Sequence, residues 1–227
     1  MLKTRNLINY IPGIAAFMLL SCIHLNAQTG GESSKPQYVF PDFMESVIKM
    51  KNENTRTLIL NYNFITEKMV YQENGQLFDL LNSELFDTIY INNRRFVPFE
   101  GSFYEVLMAE NVPLFIQYTG ELKELGKDAG YGTTSQTTSI QNISGIYSNR
   151  TYLNLKLPDN IEVQAFENYW LRKDGSMINF KNKKQYLEIF PGIEDKLDEF
   201  IKDNKIRFRD RDDLKKLVKY TNLQLSQ

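Results

Sequence analysis

The sequence predicts a mainly β protein: an antiparallel β sandwich or barrel, built as a meander of hairpins, with a short helical C-terminal segment packed on the sheet. Three observations support this fold class. Apolar and polar residues alternate from Met44 to about Leu122, turn signals recur through the same stretch, and the apolar period becomes helical after Asn182. Period two is typical of strands with one buried face, and the longer period of helices that dock by one apolar stripe.

The first 27 residues have the layout of a secretory signal peptide. Lys3 and Arg5 precede a short apolar run, and no acidic residue occurs before Glu32. The run is shorter than the roughly 20 consecutive apolar residues of a membrane helix, which indicates a removed leader rather than an anchor. The small residue Ala27 predicts cleavage after it, so that residues 1–27 are lost and the protein is periplasmic or secreted.

A second cleavage site competes with the first. The sequence LLSC, which ends at Cys22, is similar to the box of bacterial lipoproteins, where the cysteine is acylated and becomes the first residue. Against this alternative, apolar residues continue past Cys22. Cleavage there would make the protein an outer-membrane lipoprotein and a structural component of the envelope.

Removal of the leader also limits the side chains that the mature protein has for catalysis and binding. The chain holds one cysteine and one histidine, Cys22 and His24, and cleavage after Ala27 removes both. It leaves 25 basic against 28 acidic residues, a net charge of −3. The composition therefore predicts no nucleic-acid partner, because such surfaces need a basic excess. The loss of the imidazole and the thiol excludes Ser/His and Cys/His catalysis and the common zinc sites, and no metal or other cofactor is expected.

The β region begins after a polar lead-in. Residues 28–43 are predicted to be flexible and residues 44–227 to form a single globular domain. About seven strands are expected between Met44 and Leu122. Asn74-Gly75 is a strong two-residue hairpin signal because both positions favour positive φ angles.

The second half carries a long polar segment, more strands and a helical tail. The Gly/Ser/Thr-rich stretch 126–149 predicts a mobile or disordered loop. Strands are expected at 153–157 and from Ile161 to Trp170, and Asp174-Gly175 predicts a hairpin to the next strand. The tail 183–222 shows helical spacing, and Asp210 is a good N-cap with Asp213 at the capping-box distance.

Four aromatic residues near the end of the β region are candidates for a ligand-binding platform. Such a platform would stack on a sugar or contact a peptide. The competing interpretation is ordinary core packing, which is the first use of aromatic residues in β proteins. The four residues are Tyr152, Phe166, Tyr169 and Trp170.

Paired carboxylates are the remaining acid/base groups. A glycoside hydrolase needs two of them about 5–9 Å apart across a cleft. Glu105, Glu162, Glu167 and Asp174 lie in or beside the β region, but no spacing singles out a pair. The acidic stretch 203–213 lacks the central Gly and closing Glu of an EF-hand.

Several longer segments resemble a group of small, exported, uncharacterised proteins of Bacteroidetes-type bacteria. The resemblance covers most of 44–222 without the polar loop, and it implies export and a shared fold but no activity. The segments are SVIKMKNENTRTLILNYNFITEKMVYQ, DTIYINNRRFVPF with SFYEVL, YWLRKDG, KKQYLEIFP and DDLKKLVKYTN.

Together these patterns predict an exported, non-enzymatic binding module with a protein, peptide or glycan partner. The alternative is a carboxylate-dependent glycan hydrolase.

Overall fold

The computed structural model of the protein describes residues 36–124, 128–129, 133–134 and 161–227. Twelve strands and three helices lie in these ranges, with a 3₁₀ turn, Ser83–Leu85, between the fourth and fifth strands. The strands are β1 Met44–Met50, β2 Thr55–Asn63, β3 Lys68–Glu73, β4 Gln76–Asp79, β5 Phe86–Ile91, β6 Arg94–Phe99, β7 Ser102–Met108, β8 Leu114–Glu124, β9 Asp128–Ala129, β10 Thr133–Thr134, β11 Ile161–Lys173 and β12 Ser176–Phe180. The helices are α1 Lys183–Glu188, α2 Glu194–Asp203 and α3 Arg211–Leu225.

Ten strands form one antiparallel sheet, so the predicted mainly β, antiparallel fold is confirmed. Their order is β12-β11-β8-β7-β6-β5-β1-β2-β3-β4, and the sheet is not closed into a barrel. Two meanders grow outward from the centre, one from β1 to β4 and one from β5 to β12. β1, seventh in this order, pairs with both β2 and β5, so the two meanders join there.

The predicted hairpin turns have the backbone that their residues favour. Asn74 and Gly75 have φ angles of 50° and 76° between β3 and β4. Asp174 and Gly175, at 51° and 78°, join β11 to β12. Positive φ at both central residues gives a turn whose twist matches that of the flanking strands, so these dipeptides fix the register of their hairpins.

The three helices close one face of the sheet. Buried residues of α2 and α3, including Leu197 and Leu217, belong to the same apolar cluster as strand residues such as Phe96 and Ile116. The predicted packing of the helical tail on the sheet is therefore confirmed. We call this helix-covered side the inner face and the opposite side the outer face.

The N-terminus of α3 is capped as the sequence predicts. The Asp210 carboxylate accepts hydrogen bonds from the backbone N–H groups of Asp212 and Asp213, at 3.1 and 3.0 Å. Asp213 does not complete a capping box, because its own carboxylate accepts from the backbone N–H and Nε of Arg207.

The end of the predicted lead-in is part of the fold. Tyr38 pairs with Asn63 at the end of β2, and Phe40 is 6% exposed in the main core. The buried Asn61 ties this segment down: its Nδ2 donates to the backbone oxygens of Phe40 and Asp42, and its Oδ1 accepts from Phe40 N. Residues 36–43 are thus attached to the sheet, and only 28–35 of the lead-in lie outside the described residues.

One glycine in β8 is required by close packing. A Cβ atom at Gly120 would lie 2.4 Å from Cδ2 of Phe64 and 2.7 Å from Cδ1 of Ile65. Both side chains follow β2, so the absence of a side chain at Gly120 lets the turn after β2 pack on β8.

The leader 1–27, including Cys22, and the strand expected at 153–157 lie outside the described residues. Of the loop 126–149, only β9 and β10 are described, and they pair with each other. No helix within the described ranges has the length and apolar character needed to cross a bilayer.

Candidate functional site

The predicted aromatic platform is divided by the sheet. Tyr169 and Trp170 are neighbours on β11, so their side chains point to opposite faces. Tyr169 is buried on the inner face, where its ring lies beside Phe180. Trp170 shares the outer face with Phe166, four residues earlier, and Tyr152 lies outside the described residues. The structure therefore keeps only Phe166 and Trp170 on a common face, roughly 13 Å apart along the strand.

Trp170 packs into an aromatic group rather than standing free. Its ring makes an edge-to-face contact with Tyr104, at a centroid distance of 5.6 Å, and Tyr104 in turn contacts Phe99. The indole N–H of Trp170 is buried and has no hydrogen-bond partner among the described residues. Tyr104 is only 6% exposed and Trp170 and Phe99 are half-buried, so the rings of this group are used largely for packing against one another.

Two of the four candidate carboxylates meet in one polar network on the inner face. Arg94 on β6 binds Glu105 on β7 through two hydrogen bonds of 2.9 and 2.7 Å. Arg211, the first residue of α3, binds Glu167 on β11 in the same bidentate way. The Tyr118 hydroxyl on β8 joins the two pairs, because it donates to Glu105 and accepts from both arginines. Glu162 and Asp174 are exposed on β11 and in its turn, away from this network.

The surroundings of the network keep the Tyr118 hydroxyl protonated and favour the charged forms of Glu167 and Arg211. Burial and the neighbouring Glu105 carboxylate raise the pKa of the Tyr118 hydroxyl above its ordinary value, so it stays protonated and donates. Burial opposes the ionisation of Glu167, but hydrogen bonds from Arg211 and Tyr169 outweigh it and lower the pKa of that carboxyl. The hydrogen bond to Glu167 raises the pKa of the Arg211 guanidinium.

Each carboxylate of the network is thus held by an arginine in an ion pair. A hydrolytic acid needs a raised pKa, whereas the Glu167 carboxyl moves in the opposite direction. We interpret the network as the polar joint that fastens the N-terminus of α3 to β8 and β11.

The other polar candidates have local partners. Asp210 and Asp213 pair with Arg207, and no cluster of three or more metal-binding side chains occurs among the described residues. Ser46 is buried and Lys49 is exposed, on opposite faces of β1, as strand alternation requires.

An apolar strip on the outer face, unlike these paired polar groups, is exposed to solvent. Val47 on β1 is 37% exposed and Ile59 on β2 is 45% exposed. Tyr90 on β5 is the cross-strand partner of Val47. On the other side of β1, Ile59 is the partner of Glu45 and therefore lies diagonally from Val47. We call Val47, Ile59 and Tyr90 the outer strip. It lies on three interior strands of the sheet, on the face that the helices leave open.

Charged residues border the outer strip. Glu45 and Lys49 are exposed two residues before and after Val47, so all three side chains share a face. The Lys49 ammonium lies 5.3 Å from the centroid of the Tyr90 ring. A shallow groove of about 440 Å³ continues from Lys49 and is lined by Lys49, Met50, Lys51, Glu53, Thr55 and Asp87.

Sequence reasoning did not single out the outer strip, although a signal was present. Val47 and Ile48 are consecutive apolar residues in β1, and so are the three residues from Leu58 to Leu60 in β2. Since only one of two neighbouring strand residues faces the core, such runs place an apolar side chain on the other face.

Comparisons with known proteins add no relative. No family model, no curated protein and no solved structure matches this chain. The resemblance to exported Bacteroidetes-type proteins therefore stays a prediction.

Proposed function

We propose that this is an exported, non-enzymatic protein that binds a protein or peptide partner through the outer strip. The observation that carries the proposal is the exposure of Val47 and Ile59, diagonal neighbours on the paired strands β1 and β2. Single exposed apolar residues are ordinary, but a contiguous group with a polar rim is typical of an interaction surface.

The chemistry of the strip favours a protein or peptide over a glycan. Glycan sites use accessible aromatic rings, whereas the strip presents two aliphatic side chains and one half-buried tyrosine. The predicted platform does not supply the rings, because Tyr169 is in the core and Trp170 packs against Tyr104. The charged groove beside Lys49 would add polar contacts at the rim, as is usual in protein interfaces.

Site-specific photocrosslinking in the native host tests the binding surface. A photoreactive amino acid at position 47 or 59 should trap a polypeptide, because each position lies in the strip. The same group at Leu223, which is 57% exposed on α3, is the matched control and should trap none. Equal crosslinking at Leu223 and at the strip, or none at either strip position, would contradict the proposal.

Export is tested on the native protein by mass spectrometry. We expect a mature N-terminus at Gln28 without a lipid. An acylated N-terminus at Cys22 would support the lipoprotein alternative, and a retained leader would contradict export.

A further inference from the structure

We propose that the partner bound by the outer strip is a second copy of this chain, packed face to face about a two-fold axis that passes over Val47. The inference rests on the proposed function, since it takes the strip to be a binding surface. It goes further because it names the occupant and the geometry.

The charges beside the strip are self-complementary. Glu45, Val47 and Lys49 point to the outer face of β1, with opposite charges two residues on either side of Val47. Each charge is therefore roughly 7 Å from Val47 along the strand. Neither Glu45 nor Lys49 forms an ion pair within the described part of the chain.

A two-fold axis that lies in the plane of the interface and runs perpendicular to β1 brings opposite charges of the two copies together. It places the two β1 strands antiparallel, so Glu45 of one copy faces Lys49 of the other, and the same pair forms again on the far side of Val47. An axis along β1 would instead place Glu45 opposite Glu45 and Lys49 opposite Lys49, which is repulsive. The charge pattern thus selects one of the two face-to-face orientations.

The apolar residues fit the same axis. Val47 and Tyr90 are cross-strand partners, so both lie at the level of the axis and each meets its own counterpart. Ile59 lies one strand away at the level of Glu45, so this axis places it opposite Thr55 of the other copy, the cross-strand partner of Lys49. Arg95, the partner of Tyr90 on β6, is two strands from Val47. Because residues at this level meet their own counterparts, the two Arg95 side chains would repel each other, so the contact is confined to β1, β2 and β5.

A charge-swap experiment tests the inference on protein expressed from the full-length sequence. Sedimentation equilibrium from micromolar to millimolar concentration should show a monomer–dimer equilibrium for the wild type. Glu45→Lys and Lys49→Glu should each weaken dimerisation at least about tenfold, because each places like charges opposite each other. The double variant Glu45→Lys/Lys49→Glu should restore it, since the swapped charges face each other again.

Two further variants keep the test specific. Val47→Asp should abolish the dimer, because it buries a carboxylate against its own copy on the axis. Leu223→Asp is the control for an added charge at an exposed apolar position and should leave the dimer unchanged. Far-ultraviolet circular dichroism should be the same for all variants, since every substituted side chain is exposed.

Three outcomes would overturn the inference. They are a wild type that stays monomeric throughout the range, a dimer that the single reversals leave intact, and a double variant that dimerises no better than the singles. The crosslinking from position 47 separates this failure from that of the proposed function. A crosslink to a different polypeptide would end the dimer but keep the binding surface, whereas the absence of any crosslink would end both.

Discussion

The two faces of the sheet place their unusual residues in opposite environments. On the inner face, charged groups are paired: the buried Glu105 binds Arg94, and the partly exposed Glu167 binds Arg211. On the outer face, apolar groups are exposed on β1 and β2, two interior strands of the sheet. Ion pairs that fasten a helix to a sheet are explained by the fold itself, whereas exposed apolar side chains on interior strands have no role in the isolated fold. The comparison therefore assigns stability to the inner network and binding to the outer strip.

The largest effect is expected when one partner of an ion pair in the inner network is removed, because the network is assigned a role in stability. Glu105→Leu should lower the free energy of unfolding by about 3–5 kcal/mol, because it leaves the Arg94 guanidinium uncompensated inside the fold. Urea denaturation measures this loss. The double variant Arg94→Met/Glu105→Leu is the control and should recover much of it, since no unpaired charge remains. A loss below 1 kcal/mol for the single variant would show that the pair behaves as a surface ion pair.

A second test concerns the packing around the network. Gly120→Ala should cost about 1–3 kcal/mol, because the new methyl group would lie 2.4 Å from Phe64 Cδ2. Urea denaturation of Gly120→Ala, Phe64→Leu and their combination gives the coupling. The glycine substitution should cost less when Phe64 is already leucine, and equal costs in both backgrounds would contradict the close approach.

The helix that carries Arg211 gives a smaller effect. Asp210→Ala removes the cap of α3 and should cost about 1 kcal/mol. Thermal unfolding measures the change, with Asp212→Ala as the control, because the Asp212 side chain is 82% exposed and does not cap the helix. An equal loss in the two variants would show that general charge at the helix N-terminus, not the cap, is responsible.

Acid should weaken the ion pair between Arg211 and Glu167, which is the more exposed part of the network. The folded pKa of Glu167 lies below its ordinary value of 4.5, so its stabilising contribution is complete above that value and is lost as the pH falls through the folded pKa. Because the Arg211–Glu167 pair is partly exposed, the contribution at neutral pH should be at most about 1 kcal/mol. Glu167→Gln should therefore lower stability at pH 7 slightly and flatten its decline towards pH 3, measured by urea denaturation. A variant with an unchanged acid dependence would contradict this assignment.

The smallest effect on stability is expected from the outer strip. Val47→Thr and Ile59→Thr should each change the free energy of unfolding by less than about 0.5 kcal/mol, because both side chains are already exposed. Chemical denaturation should be done at a protein concentration where the wild type is monomeric. A loss of 2 kcal/mol or more would show that these residues belong to the core, and the comparison between the faces would fail.

Much of the fold could be predicted because it is encoded locally. Asn74-Gly75 and Asp174-Gly175 specify their turns by their own backbone preferences, and Asp210 caps the helix that immediately follows it. The position of β1 between β2 and β5 could not be predicted, because the connection from β4 to β5 carries no pattern that selects a neighbour.

The network and the strip depend on the same non-local information. Arg211 and Glu167 are 44 residues apart and meet only through the docking of α3. Tyr169 and Trp170 were predicted to act together, but their alternate directions on β11 send one to the core and the other to the outer face. The packing of residues 36–43 was missed because its anchor, the amide of Asn61, lies 19–21 residues away in sequence.

The ladder between β8 and β11 has a consequence for the evolution and engineering of the chain. Glu124 and Ile161 are direct partners at its end, so β8 and β11 form a hairpin whose register is set by the ladder itself. A short artificial turn between them should yield a folded scaffold, and foreign sequences could be displayed at the same point.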